Sequence, residues 1–299
     1  MYIYKDFIFE VEKIFIMVRS FHVIARKICT VAVLFIIAIP VFTQEIGVQL
    51  YSFRKQLPGN VPAMLEKISK MGIKELEGGG SYGLPPGEFK SLLKKNNLKV
   101  VSVGADFQQL AKDPQASVDL AKTYGAKYVV VFWIPHTDVF TIDDAKNAVN
   151  VFNSAGKLLK ENGIALCYHA HGYEFGAYGK GTLFDYLAEN LNPAYANFEM
   201  DVFWVKHPGQ DPVALLQKYP SRFPLMHLKD RKTGTEGNQK GEADVETNVV
   251  LGSGDVGIAA IMKAAKKAGV KHYFIEDESS RSVEQVPRSL AYLASLKQE

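Results

Sequence analysis

Glu174, Asp201, His227 and Glu276 are the residues whose types and spacing most directly imply chemistry. They fall in YHAHGYEF, FEMD, LMHLKD and FIEDE, each at the end of an apolar or β-branched run that predicts a strand. Charged side chains are rarely buried unless they are paired or hold a metal. Three carboxylates and one imidazole at separate strand ends therefore predict the ligand set of one divalent metal ion. Oxygen donors suit Mg²⁺ or Mn²⁺, and the imidazole also admits Co²⁺ or Zn²⁺. Salt bridges across a shared mouth are the competing role for these four.

Other side chains near the same strand ends are candidates for holding a substrate. His171 lies two residues after His169, so the two share a strand face, and His171 is nearer the strand's end. It is expected to bind a substrate hydroxyl, with His169 buried and hydrogen-bonded beneath it. Lys229 shares a face with His227 and is placed to hold a substrate oxygen or polarise a carbonyl, its alternative being a salt bridge across the mouth. Trp133 follows the fourth strand and His207 follows the sixth, and an aromatic face at a strand end either stacks on a sugar or simply packs. Glu77 ends the second strand and is expected to face the same pocket.

The elements that must position these groups alternate regularly. Strands are predicted at 46–52, 73–77, 98–105, 126–133, 164–170, 197–201, 224–230 and 271–276. Amphipathic helices are predicted between them at 62–71, 86–96, 114–124, 143–162, 181–191, 211–218 and 255–268, with a last one at 283–296. Strands alternating with helices imply a parallel sheet, and eight such units imply a closed (β/α)8 TIM barrel, whose active site lies at the C-terminal ends of the strands. No G-x-G-x-x-G follows the first strand, which disfavours a dinucleotide fold. A polar stretch from Thr233 to Gly254 predicts a long loop beside the site.

The chain has 299 residues and a net charge of +3, too small to suggest nucleic acid or an anionic membrane as partner. Arg19, His22, Arg26 and Lys27 precede an apolar run from Ile28 to Phe42, short for a membrane span and right for a secretory signal. We therefore expect residues 1–43 to be an N-terminal extension and signal peptide, residues 44–299 to be the barrel, and the mature protein to be periplasmic or secreted with no membrane span. Cys167 would then be the one cysteine left, in an apolar strand where it reads as a core residue.

The segments IGVQLYSFR, YHAHGYEF, FEMDVFWVKHPGQDP, FPLMHLKD, LGSGDVGI and KHYFIE resemble those of the xylose isomerase-like barrels, the sugar phosphate isomerase/epimerase superfamily, over about residues 46–296. The resemblance implies that Glu174, Asp201, His227 and Glu276 are the metal ligands and that Glu174 and Glu276 are also the acid–base pair. A cation on a carbonyl and its neighbouring hydroxyl stabilises an enediolate, and a carboxylate on one face removes the proton beside the carbonyl. The same enediolate serves isomerase, epimerase and, with a leaving group one carbon on, lyase chemistry. Export favours an unphosphorylated keto-sugar or 3-keto-glycoside, with β-elimination of the aglycone as one outcome. An inosose dehydratase-like lyase and a non-catalytic sugar-binding barrel are the alternatives, and an endonuclease IV-like activity is disfavoured by only 7 histidines. The expected partner is a small sugar. Barrels of this group often self-associate, so a homo-oligomer is also expected.

Overall fold

The computed structural model describes residues 45–78 and 80–296. The predicted signal segment lies outside the described residues, and among these no helix is long and apolar enough to cross a membrane. Eight parallel strands close into a barrel, confirming the (β/α)8 expectation. In chain order they are β1 (Ile46–Gln49), β2 (Glu75–Glu77), β3 (Lys99–Ala105), β4 (Tyr128–Val131), β5 (Ala165–His169), β6 (Ala196–Asp201), β7 (Leu225–Leu228) and β8 (His272–Ile275). Each strand pairs with its sequence neighbours, and β8 returns to β1 through Ile46 opposite Tyr273. All lie within three residues of the predicted bounds.

Period-two alternation sorts the side chains into two cores. Leu76, Val103, Val129, Val131, Leu166, Tyr168, Phe198, Met200, Met226, Leu228, Tyr273 and Ile275 point out to the helices and join the large core. Val101, Tyr128, Val130, Cys167, Leu225 and Phe274 fill the barrel interior. Each fully buried Leu, Ile or Phe contributes roughly 1.5–3 kcal/mol. Gly47 is required by that filling, because a Cβ there would lie 2.7 Å from both the Phe274 ring and the Glu75 carbonyl oxygen. Cys167 is buried in this interior, as expected, and burial pushes its thiol well above the usual range.

Eight of the helices match the expected segments. Helix α1 (Ile142–Glu161) opens on a capping box in which Thr141 and Asp144 each satisfy the other's backbone N–H, and Gly163 beyond its end takes φ +73°. Two short helices, Phe107–Lys112 and α2 (Val202–Lys206), were not predicted. The seventh strand's end is fixed by Asp230. Its Oδ2 accepts from the Gly252 and Gly254 N–H groups at 2.8 and 3.0 Å, and its Oδ1 from Arg231 and Val256 at 2.9 and 3.2 Å. This accounts for the LGSGDVG motif: a Cβ on Gly254 would lie 2.4 Å from Asp230 Oδ1. The segment ties down the chain just beyond His227 and Lys229.

Candidate metal centre and cavity

The inward faces of β5, β6, β7 and β8 converge at the C-terminal end of the barrel. Alternation places His169 on the face of Cys167, Glu199 and Asp201 together on β6, His227 and Lys229 on the β7 side, and Glu276 just past β8. His169 Nε2 lies 3.7 Å from Asp201 Oδ2, and His227 Nδ1 lies 3.9 Å from that oxygen and 3.3 Å from Glu276 Oε2. His169, Asp201 and His227 offer donor atoms all within 4.8 Å of one another. Of the four expected ligands, the structure thus brings together Asp201, His227 and Glu276.

It does not bring Glu174 to them. Beyond His169 the chain turns at Gly172, which takes φ +99°, into a single 3-10 turn over Tyr173–Phe175. The turn sends the Glu174 carboxylate to the outward side of β5. There it accepts from the Tyr168 hydroxyl, from the His171 N–H at 3.2 Å and from the Gly172 N–H at 2.8 Å. Tyr168 belongs to the helix-side core, packed on Phe152 of α1. Burial raises the Glu174 carboxyl despite those three donors. The place expected for Glu174 is taken by His169, which the sequence reading set beneath the site.

Asp201 shows why this cluster suits a cation. Its Oδ1 caps α2, accepting from the Phe203 and Trp204 N–H groups at 2.7 and 3.1 Å. Its Oδ2 is buried without a hydrogen-bond partner. A buried carboxylate oxygen left unpaired is expensive, yet this one faces two imidazole nitrogens and the Lys229 ammonium at 3.6 Å. Two imidazoles and two carboxylates around an unpaired oxygen fit a divalent ion. Two nitrogen donors move the set away from Mg²⁺ and toward Mn²⁺, Co²⁺ or Zn²⁺.

Lys229 is fully buried. Its Nζ donates to Glu276 Oε2 at 2.8 Å and to Glu278 Oε1 at 2.5 Å. Burial alone would lower the ammonium, but Glu276, Glu278 and Asp201 outweigh it and hold Lys229 well above the lysine range. Burial likewise opposes ionisation of Glu276, and Lys229 and His227 overcome it, keeping that carboxyl well below its ordinary value. Burial raises Asp201 to about 6. His171 is lowered to about 4, chiefly by burial and then by Lys229, so its ring is neutral at pH 7.

A cavity of about 390 Å³ opens above this cluster, lined among others by Gln49, Tyr51, Phe132, His169, His171, Glu276 and Glu278. His171 reaches it as expected. Glu77 does not line it: buried inside the barrel, it contacts His227 Nε2, accepts from Gln49 Nε2 at 2.8 Å and accepts from the Ser102 hydroxyl. Trp133 is 40 % exposed and packs at the cavity's flank on His136, His171 and Tyr173, ring centroids 4.7–5.5 Å away. His207 does not reach the cavity. It stacks on Phe203, and its Nε2 accepts from Asn238 Nδ2 at 3.1 Å. It therefore anchors the long loop after β7, which also closes Gly241 onto Trp133 and Tyr173.

Sequence reasoning missed Glu199, although FEMD carries the signal: residues two apart on a strand share a face, so Glu199 must point inward wherever Asp201 does.

Comparison with known proteins agrees with the architecture. A sugar phosphate isomerase/epimerase from Parabacteroides distasonis is 27% identical, with a TM-score of 0.70 over 85% of this chain and 95% of its own. An IolI protein solved with a bound zinc atom shares the fold at TM-score 0.67 and 13% identity, over 84% of this chain and 97% of its own. An inosose dehydratase from Mesomycoplasma hyopneumoniae is 27% identical over 193 residues, a match spanning 56% of this chain and 61% of that enzyme's length. Residues 65–296 match the family directly, and the chain belongs to the xylose isomerase-like TIM barrels.

Proposed function

We propose that this protein is a divalent-metal-dependent enzyme that removes the proton beside the carbonyl of an unphosphorylated keto-sugar or 3-keto-glycoside. The observation that carries the reading is the ring of His169 Nε2, His227 Nδ1, Asp201 Oδ2 and Glu276 Oε2 at the floor of the cavity, with the Asp201 oxygen unpaired. These four residues would hold the ion. When bound, it supplies a Lewis acid for the substrate's carbonyl and adjacent hydroxyl oxygens.

Glu276 supports the acid–base role by position: its carboxylate lines the cavity, where a substrate C–H would come within reach. Lys229 does not line the cavity: its buried ammonium lies beneath Glu276 and Glu278 and holds both carboxylates in place. Across the cavity His171 presents a neutral imidazole. Glu174, bound to Tyr168 and two backbone amides, has no part in this scheme.

The lining supports a neutral substrate. Among the described residues it contains the carboxylates of Glu276 and Glu278 and no lysine or arginine, and Lys229 below it is already shared between them. A phosphate group would meet like charge there. Elimination, as in the inosose dehydratase relatives, is the second reading, favoured by their similarity.

The test is proton NMR of the Mn²⁺- or Co²⁺-loaded protein in D₂O with keto-sugars and 3-keto-glucosides. Deuterium entering beside the carbonyl, and lost on adding EDTA, is the expected result, and the product names the reaction. A metal-loaded protein that exchanges no proton in either substrate class would overturn it.

A further inference from the structure

The two imidazoles are buttressed from below. Glu199 sits one layer deeper than Asp201 on β6. Its Oε2 lies 2.9 Å from His169 Nδ1 and 3.3 Å from His227 Nε2. Glu77 reaches the same His227 nitrogen from β2 and is itself fixed by Gln49 and Ser102. A neutral imidazole carries one N–H, and the hydrogen bond that N–H makes decides which nitrogen keeps the lone pair. His169 Nδ1 and His227 Nε2 are directed down at carboxylates, so the nitrogens that face Asp201 Oδ2, and that would offer lone pairs to a bound ion, are His169 Nε2 and His227 Nδ1.

We infer that Glu199 is the positioning residue of the metal centre, with Glu77 as its partner. It holds both histidine ligands in one tautomer and ring orientation without touching the ion. This rests on the ligand set proposed above. Glu199 is fully buried and its Oε1 has no hydrogen-bond partner, an arrangement with a clear energetic penalty. The apolar side chains that fill the interior below it, Val130, Cys167, Leu225 and Phe274 among them, offer no packing reason to keep a carboxylate there. Carboxylates behind histidine ligands raise ligand basicity, and removing one typically weakens metal binding by about 10–100-fold.

The experiment titrates Co²⁺ into the metal-stripped protein, following visible absorption, for the unchanged chain, Glu199→Gln and Glu199→Ala. The melting temperature of each stripped form is measured beside it. Expected is Co²⁺ binding by the unchanged chain and a dissociation constant about 10–100-fold weaker in Glu199→Gln, with displaced absorption bands. Should Glu199→Ala fail to fold, the near-isosteric Gln variant carries the test alone. A Gln variant within twofold of the unchanged chain and with the same bands overturns the positioning role. Complete loss of Co²⁺ binding in that variant overturns it too, making Glu199 a ligand. An unchanged chain that binds no Co²⁺ instead sinks the metal reading beneath it.

Discussion

Replacing Glu174 by Ala separates a ligand from a structural acceptor. The substitution strips the Tyr168 hydroxyl and the His171 and Gly172 N–H groups of their shared acceptor in a fully buried place. The Tyr168 hydroxyl keeps the Tyr173 hydroxyl as a partner at 2.8 Å, and each of the two backbone donors left unsatisfied costs about 1–3 kcal/mol. Part of that is offset, because burial already raises the Glu174 carboxyl and the variant no longer has to bury a charge. A net loss near the lower bound, about 2 kcal/mol, lowers the melting temperature by roughly 4–8 °C at about 2–4 °C per kcal/mol for a domain of this size. Co²⁺ affinity, compared well below the transition, should stay within about twofold, because none of the three lost bonds touches a proposed ligand atom. His169→Ala should do the reverse, removing measurable Co²⁺ binding while the stripped protein still folds. Calorimetry and Co²⁺ titration of both variants decide it. Lost Co²⁺ binding with an unchanged melting temperature in Glu174→Ala would refute the reasoning, because the carboxylate would then have to swing through the Gly172 turn into the barrel.

Further outcomes follow from the same contacts. Lys229→Met leaves Glu276, Glu278 and Asp201 without their shared cation, and breaking a buried pair this way costs about 3–5 kcal/mol. Bound Co²⁺ should restore part of it, so thermal melts must show a larger loss in the stripped than in the loaded protein. His207→Ala should leave KM unchanged and speed proteolysis within residues 233–247, because its ring holds Asn238 of that loop and not the cavity. Glu75 lies at the opposite end of the barrel. Burial would raise its carboxyl, but hydrogen bonds from His272 and Lys99 outweigh this and lower it. A lowered folded value means stability present above the ordinary 4.5 and lost as pH falls through the folded value. Glu75→Gln should therefore destabilise at pH 7, and the gap from the unchanged chain should close below pH 4.5 in urea melts.

The barrel was legible because its strands are short apolar runs separated by capped helices, a pattern set by local chemistry. The convergence of Asp201, His227 and Glu276 was legible for a related reason: they sit in or directly after strands, where alternation fixes the face. Glu174 was not, because the chain leaves the sheet at His169 and the turn at Gly172 sends the next carboxylate outward. Residue type favoured Glu174 over His169, whereas strand parity favoured His169. Glu199 was hidden in the same way, as a carboxylate inside a strand and not at its end. His207 turns away because Asp201 caps α2, and that helix carries the following residues off the strand. Such a cap is a tertiary consequence of where the strand stops.

The most direct test of the central claim is anomalous diffraction from crystals soaked in Co²⁺ or Zn²⁺ and measured at the metal's absorption edge. One strong peak is expected, bonded to His169 Nε2, His227 Nδ1, Asp201 and Glu276, with Glu199 and Glu77 behind the imidazoles and out of bonding distance. A peak coordinated by Glu174, or one lying between Glu77 and Glu199, would contradict it.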